Sequence, residues 1–482
     1  MKKEKLSSNL IMQFFYQGVT LVIPLIISPF LTRTLGSSSL GIYTYTYSIA
    51  YYFVMFAMLG ISRHGQRIIS QNRDDEMKLR KVFWSLFFTH IVVSLVSFVL
   101  FLLFSLAFGG DDRVIYLIQS LYVLSALFNI TWLFYGLENF KSVVLRNTVV
   151  KAVECLLIFL LIRTPDDLWK YTLISAGGIL AGQAVMLPQA VAAVRPVRFG
   201  WEDVRQHIKP LLVFSISVIA VSLYTVFDKT LLGIMTVKDN VAYYEYSNKI
   251  ITILVSLIGA VGTVMYPRAC AMAAKKDFEN QRKYINYSFF LVSMIAFGAM
   301  FGLLAVAKEF AVFYYGEHFS ACGSIIIAMC PLVYIIGMGD ILRTQYMIPN
   351  HMDIHFNVCI LMSAVVNLIL SFLLIPKIGI FGAVAGTASA ELFGFIYQLT
   401  VCRSFIRLRD IVSAGAPFLL IGTVMYAAVR VLQRGMERGL MSFLVQVAAG
   451  AFVYGTLSLI YVFLGKRELM NLVLEQFIKK KK

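Results

Sequence analysis

The sequence predicts an all-α integral membrane protein of about 14 transmembrane helices, with two six-helix lobes followed by a C-terminal helix pair. Three observations support this prediction: the composition, the repeated apolar stretches, and weak similarities between segments six spans apart. Of the 482 residues, 59% are hydrophobic and 14% are charged, and the mean hydropathy is +0.77. Such a chain is too apolar to form several soluble domains.

The apolar stretches give the number of spans, because about 20 apolar residues cross the hydrocarbon core of a bilayer. Stretches of this length are separated by polar or Pro/Gly breaks. They predict spans at about 10–31, 41–62, 82–108, 114–137, 143–162, 171–194, 210–235, 243–266, 285–307, 321–342, 355–375, 380–402, 412–432 and 440–464. The longest polar stretches, 63–81 and 267–283, hold 19 and 17 residues, which is too few for a soluble domain.

The distribution of basic residues predicts the orientation. With an even number of spans both termini lie on one side, and that side carries 30 of the 43 Lys and Arg residues, against 10 on the other side. Cytoplasmic loops are enriched in Lys and Arg, so both termini are predicted to be cytoplasmic. The net charge of +17 follows from this topology and does not indicate nucleic acid binding.

Two segment pairs predict an internal repeat. GIYTYTYSI (41–49) aligns with AYYEYSNKI (242–250) at an offset of 201, and KAVECLLIFLLI (151–162) aligns with AVVNLILSFLLI (364–375) at an offset of 213. Both alignments pair a span with the sixth span after it. They predict parallel repeats related by an axis along the membrane normal, with a substrate path between them. The predicted divisions are residues 1–200, 201–405 and 406–482.

Charged residues inside the predicted spans are candidates for function, because each costs about 2.5–3.5 kcal/mol at mid-membrane on insertion scales. Ion pairing within one helix is the alternative where the spacing allows it: Lys151 with Glu154, Glu245 with Lys249, and Asp340 with Arg343. The remaining charged candidates have no obvious partner in their own helix and favour a hydrated cavity. These are Arg33, Arg63, Asp228 and Glu391, and Lys229 follows Asp228 on the seventh span.

A tyrosine stripe lies on the second span. Tyr43, Tyr47 and Tyr51 recur at a spacing of four residues and so share one helical face, and Tyr224 precedes Asp228 on the seventh span. Such rings would offer flat apolar faces and hydroxyl partners to sugars. The alternative is a role in packing or in the interfacial aromatic belt.

The sequence lacks the motifs of ATP-hydrolysing and metal-dependent enzymes. It has no GxxxxGK[ST] loop for ATP hydrolysis, no HExxH motif and no Cys/His cluster for a metal. The outer loops are short, which disfavours a membrane-embedded glycan polymerase or ligase. We therefore expect a transporter rather than an enzyme, with no cofactor or metal.

Several segments along the chain resemble the Wzx-type polysaccharide repeat-unit flippases, whose superfamily also holds the MATE exporters and the lipid II flippase. The segments are PFLTRTLGSSSLGIY (29–43), WLFYGLENFKSVVLRN (132–147), SLYTVFDKTLLGIM (222–235), AYYEYSNKI (242–250), VMYPRA (264–269) and IPKIGIFGAVAGTASAE (375–391). Their order and spacing carry the resemblance, and no single segment is diagnostic.

The resemblance implies a protein of the bacterial cytoplasmic membrane that moves an undecaprenyl-diphosphate-linked oligosaccharide to the outer leaflet by alternating access. Membrane lipids, polysaccharide polymerases and glycosyltransferases would be its partners, and nucleic acid would not. The cations expected to meet the diphosphate are Arg33, Arg63, Lys151, Lys229 and Lys249. Coupling to H⁺ or Na⁺ would fall to Asp228, Glu245 and Glu391, unless the membrane potential alone drives export.

Two related functions remain as alternatives at this stage. A lipid II or teichoic-acid precursor flippase would differ only in the headgroup that it carries. A MATE-like exporter of organic cations would need an acidic cavity, whereas the intramembrane cations of this chain roughly match the acids in number.

Overall fold

The computed structural model describes residues 3–437 and 439–465, with side chains described outside 3–17, 216–225 and 465. Regular secondary structure within these ranges is helical throughout. Eleven of the described helical segments are long and apolar enough to cross a membrane. The chain is thus an all-helical, multi-pass membrane protein, as its composition predicts.

The chain divides into two compact units, Met1–Ala242 and Tyr243–Lys482. The helices up to the end of the first unit are α1 (Lys3–Thr34), α2 (Gly36–Met58), α3 (Ile61–Asn72), α4 (Glu76–Phe108), α5 (Arg113–Leu127), α6 (Thr131–Gly136), α7 (Phe140–Leu161), α8 (Leu168–Ala184), α9 (Leu187–Ala193) and α10 (Trp201–Met235). Helix α11 (Lys238–Ala274) begins in the first unit and continues into the second.

The second unit continues with α12 (Phe278–Tyr315), α13 (Ala321–Ile341), α14 (Asp353–Ile378), α15 (Ile380–Val401), α16 (Leu408–Arg434) and α17 (Leu440–Gly465). A short π-helix, Leu342–Met347, extends α13. Each of the 14 predicted spans coincides with one or two of the observed helices. The two predicted six-helix lobes remain a prediction. They are defined by a sequence repeat, whereas the two units described above are defined by their compactness.

In three predicted spans the helix breaks before the predicted end of the span. The predicted span 41–62 is too long at its end, because α2 stops at Met58 and the chain bends through Leu59 and Gly60, both with positive φ. A Cβ at Gly60 would lie 2.9 Å from the Leu211 carbonyl oxygen, so this bend requires glycine. The predicted spans 114–137 and 171–194 are each two helices, α5 with α6 and α8 with α9.

A buried polar chain crosses the junction between α3, α4 and α10 in the first unit. His64 Nε2 lies 3.1 Å from His207 Nδ1, and His207 Nε2 lies 3.2 Å from the Ser85 hydroxyl oxygen. All three residues are buried beside a hydrophobic cluster that includes Trp132 and Phe83. The hydrogen bonds satisfy polar groups that burial would otherwise leave without partners.

Aspartates begin two of the long helices. The Asp75 carboxylate accepts a hydrogen bond from the backbone amide of Lys78 at the start of α4, and Asp277 accepts one from the amide of Asn280 at the start of α12. These contacts hold the pKa of the Asp75 carboxyl below its ordinary value, and hydrogen bonds from Asn280 do the same for Asp277. Both side chains therefore act as ionised N-caps.

Candidate functional site: the α7–α8 seam

Helix α7 carries three charged residues along its interior. It has 22 residues, and its last 18 include Arg146, Lys151 and Glu154. It is not among the eleven helices that qualify as spans by length and hydropathy. Each such charge is costly at mid-membrane unless it finds a partner or water. The structure places polar partners for these side chains along α7 and α8, and we call this group the α7–α8 seam: Arg146, Asn147, Lys151, Glu154, Ser175 and Gln183.

The centre of the seam is an ion pair with a hydroxyl attached to it. The Lys151 ammonium lies 2.7 Å from Glu154 Oε2, one helical turn away. The Ser175 hydroxyl of α8 donates to the other carboxylate oxygen, Glu154 Oε1, at 2.9 Å. The Glu154 side chain is 10% exposed and the Lys151 side chain 37% exposed. The local pair allowed by the spacing of these residues is therefore formed, and the carboxylate is also bound to a second helix.

The inner part of the seam is organised by Arg146, a residue that the sequence analysis overlooked. Its guanidinium donates to Gln183 Oε1 at 2.6 Å and to the Gly182 carbonyl at 3.3 Å, both on α8. It also donates twice to Asn147 Oδ1. Arg146 lies near the start of a predicted span, where the sequence pattern does not distinguish it from a basic residue of the preceding loop. Its position five residues before Lys151 was the available signal.

Close packing brings the two helices of the seam together. A Cβ on Gly182 would lie 2.8 Å from Val150 Cγ2, closer than real Cβ contacts. Glycine at this position therefore allows α7 to approach α8 closely enough for Arg146 to reach a backbone carbonyl. The bonded distances of the seam depend on this packing.

The predicted tyrosine stripe is present and borders the seam. Tyr43 and Tyr47 stack with ring centroids 6.1 Å apart, and Tyr47 and Tyr51 are 6.2 Å apart. The Tyr43 hydroxyl lies 2.8 Å from the hydroxyl of Tyr122 on α5. Its ring packs 4.6 Å from that of Tyr171, which is one turn before Ser175 on α8. Tyr43 therefore has packing partners as well as a position beside the charged residues, whereas the side chain of Tyr224 lies outside the described residues.

The other cations predicted in the first unit lie on three other helices, α1, α3 and α10. Arg33 is exposed in the last turn of α1. Arg63 is exposed on α3, the short helix that follows the bend at Gly60. Lys229 is half-buried on α10.

The acidic residue predicted on α10, Asp228, is buried. Asp228 is 3% exposed. Two residues further on, the Thr230 hydroxyl contacts the hydroxyls of Ser48 and Tyr52 on α2, each at 3.0 Å. Helices α2 and α10 therefore share a polar contact in the region of Asp228.

In the second unit the predicted charges form local pairs. Lys249 lies 3.9 Å from Glu245 and places its ammonium 4.2 Å from the centroid of the Tyr246 ring. Arg343 lies 3.7 Å from Asp340, at the end of α13. Glu391 is partly buried on α15. In the part of the chain that the structure describes, no group of three His, Cys, Asp or Glu side chains is arranged to hold a metal ion.

Comparison with known proteins agrees with the prediction of a transporter. The family model described as "Polysaccharide biosynthesis protein" matches residues 6–273, which include the whole seam. The "Putative O-antigen transporter" of Escherichia coli (strain K12) is 23% identical over 381 residues, 77% of this chain and 90% of the relative. The protein of the same description from Shigella dysenteriae is 22% identical, over 82% of this chain and 99% of its own.

Solved structures reveal the fold. A structure of the lipid II flippase MurJ in an inward closed conformation has a TM-score of 0.75, with 16% identity, and the match covers 96% of this chain and 99% of that one. An inward-facing MATE family multidrug resistance transporter has a TM-score of 0.58, with 13% identity, over 85% and 94% of the two chains. At these identities the likeness establishes a common fold and not a common substrate.

Proposed function

The chain belongs to the polysaccharide biosynthesis protein family, and from this premise we propose that it is a flippase for an undecaprenyl-diphosphate-linked oligosaccharide. It moves the repeat unit from the cytoplasmic to the outer leaflet, for surface polysaccharide synthesis. The names of the relatives from E. coli and S. dysenteriae support a lipid-linked glycan as the class of substrate.

The observation that carries the proposal is that Arg146 and Lys151 lie within α7, a helix that coincides with a predicted span. A diphosphate and a hydrophilic glycan cannot cross hydrocarbon without partners, because burying unpaired charge is prohibitive. Basic side chains held among polar partners offset this cost, and Arg gives bidentate contacts to phosphate. The basic residues that the carrier would meet form a cationic path, which would also include Arg33, Arg63, Lys229 and Lys249. The tyrosines that would face the sugars are Tyr43, Tyr47, Tyr51 and Tyr224.

The architecture proposed for this activity has 14 transmembrane helices, in two six-helix lobes related by an axis along the membrane normal, with two further helices at the C-terminal end. A central cavity opens alternately to each side of the bacterial cytoplasmic membrane. Both termini face the cytoplasm, as the distribution of Lys and Arg indicates.

The energy for export is proposed to come from the membrane potential. Two negative charges moving outward gain about 4–5 kcal/mol per 100 mV, at about 2.3 kcal/mol per charge. Asp228, Glu245 and Glu391 are the residues that would add coupling to H⁺ or Na⁺. Replacing Asp228 by Asn tests this role: transport that no longer depends on an ion gradient supports it, and slower transport with an unchanged dependence on the gradient contradicts it.

Complementation distinguishes the substrates. We expect the chain to restore surface polysaccharide in a strain lacking an O-antigen flippase and not to restore growth in a strain depleted of its lipid II flippase. The reverse result would assign it to peptidoglycan precursors. Rescue of resistance to cationic drugs without either effect would indicate a MATE-like exporter.

Two exposed arginines test the cationic path. The double variant Arg33→Ala/Arg63→Ala should lower polysaccharide output at least about tenfold, since each charge-assisted hydrogen bond contributes about 1.5 kcal/mol. Output is measured in the complemented strain at equal membrane level by immunoblot. Arg73→Ala, which removes an exposed ion pair with Glu138, is the control. Normal output from the double variant would remove Arg33 and Arg63 from the path.

A further inference from the structure

The two partners of the seam's ion pair are held very differently. Glu154 is buried and bound by Ser175 of the neighbouring helix as well as by Lys151. Lys151 has a long flexible stem and is more than a third exposed. The carboxylate is thus fixed to α8, whereas the ammonium can reach another anion by rotating its own side chain.

We propose that Lys151 is an exchangeable cation, and that Glu154 is a positioning residue that holds its ammonium until the diphosphate of the lipid carrier displaces the carboxylate. This inference rests on the proposed function and deepens it. It assigns Glu154 a role in substrate binding, as the internal anion that occupies the place of phosphate in the empty protein.

The energetics of the exchange favour a reversible event. A diphosphate carries more charge than a carboxylate and makes a stronger contact with an ammonium. Its binding leaves Glu154 with the Ser175 hydroxyl and without its cation, and a buried carboxylate without a cation is costly. This cost weakens the bound state and returns Lys151 to Glu154 when the carrier leaves. The pair thereby sets both the affinity for the carrier and the ease of its release.

Four variants separate this role from a purely structural one. Glu154→Gln keeps an acceptor for Ser175 but releases Lys151, so the Kd for the diphosphate should fall about fivefold, as expected for losing a competing, partly exposed ion pair. Ser175→Ala should raise the Kd, because Glu154 then depends on Lys151 alone. Lys151→Gln should also raise it. The double variant Lys151→Gln/Glu154→Gln should match Lys151→Gln, since Glu154 acts through Lys151.

The measurement is equilibrium binding of undecaprenyl diphosphate to the purified full chain in nanodiscs, with undecaprenol as the uncharged probe. Glu138→Gln, which removes an exposed ion pair with Arg73 in the same unit, is the matched control and should leave the Kd unchanged. Thermal unfolding of each variant is recorded in parallel. If Glu154→Gln does not accumulate, Ser175→Ala carries the test, because it keeps both charges.

The outcomes are distinct. Tighter binding by Glu154→Gln and weaker binding by Ser175→Ala support the exchange. Binding of the diphosphate by the wild type with no change of Kd in either variant overturns the exchange and leaves the flippase proposal standing. Equal affinity of the wild type for undecaprenyl diphosphate and undecaprenol overturns both the exchange and the flippase proposal.

Discussion

The α7–α8 hairpin of the first unit and the α14–α15 hairpin of the second carry a polar pair at corresponding places. The offset of 213 that aligns 151–162 with 364–375 puts Asn367 at the position of Glu154. Glu154 accepts from Ser175 on the next helix at 2.9 Å, and Asn367 donates to Thr387 on its next helix at 3.4 Å. The arrangement is shared, but the first hairpin is charged and the second is neutral.

The second alignment extends this comparison to the helices beside each hairpin. The offset of 201 puts Tyr244 at the position of Tyr43. Tyr43 packs its ring against Tyr171 of α8, and the Tyr244 hydroxyl lies 3.0 Å from that of Thr387 on α15. In each unit, a tyrosine from a neighbouring helix contacts the polar hairpin. This residue is Tyr43 of α2 in the first unit and Tyr244 of α11 in the second.

The hairpins also differ in how closely their helices approach. A Cβ on Gly386 of α15 would lie 2.1 Å from the Ser371 hydroxyl oxygen, and one on Gly382 would lie 2.5 Å from the backbone nitrogen of Ile375. On α8, a Cβ on Gly182 would lie 2.8 Å from Val150 Cγ2, a side-chain atom, and a Cβ on Gly177 would meet nothing within 4 Å. The difference teaches that one repeated layout serves as a neutral support packed against backbone atoms in the second unit, and as a charged site whose glycine contacts are with side chains in the first.

The largest effect is expected where this packing is tightest. Gly382→Ala forces a Cβ against backbone atoms that cannot rotate away, and it should cost about 4 kcal/mol, enough to prevent accumulation of the folded protein. Gly177→Ala is its counterpart in α8 and should leave the melting temperature in detergent unchanged or slightly higher. Equal stability of the two variants would contradict the difference in packing.

Converting the neutral hairpin into a charged one gives the next largest effect. Asn367 is 1% exposed, so Asn367→Glu buries a carboxylate without a lysine one turn away and should lower the free energy of unfolding by about 3 kcal/mol. Adding Ala364→Lys, at the position that aligns with Lys151, should restore part of the loss. Asn367→Gln controls for side-chain length, and chemical denaturation in detergent measures all three variants. A double variant as unstable as Asn367→Glu would argue against the alignment.

The smallest effect sharpens the comparison of the tyrosines. Tyr43→Phe and Tyr244→Phe each remove one hydroxyl contact and should each cost about 1 kcal/mol, measured by thermal unfolding. A loss of polysaccharide output from Tyr43→Phe at normal stability would show that its hydroxyl serves the substrate rather than packing.

The sequence predicts the helices well because a fixed hydrocarbon thickness demands about 20 apolar residues, whatever the tertiary contacts. It also allows for the Lys151–Glu154 pair, since residues three apart meet on any helix. The Glu154–Ser175 hydrogen bond joins two helices, and no local period encodes it. The bend at Leu59 and Gly60 was missed because Gly60 packs against Leu211 of α10, which is distant in sequence, and Arg146 was missed because its partners lie 36 and 37 residues away.

The protonated nitrogens of His64 and His207, at the junction of α3, α4 and α10, depend on each other and on the Ser85 hydroxyl. Where the Ser85 hydroxyl donates to the Val82 carbonyl, His207 Nε2 is the donor to Ser85. In a neutral ring His207 Nδ1 is then an acceptor, and His64 Nε2 donates to it. With that orientation of the Ser85 hydroxyl, each imidazole holds a single tautomer. A proton added to His207 would set two N–H groups against each other unless His64 exchanged its own tautomer.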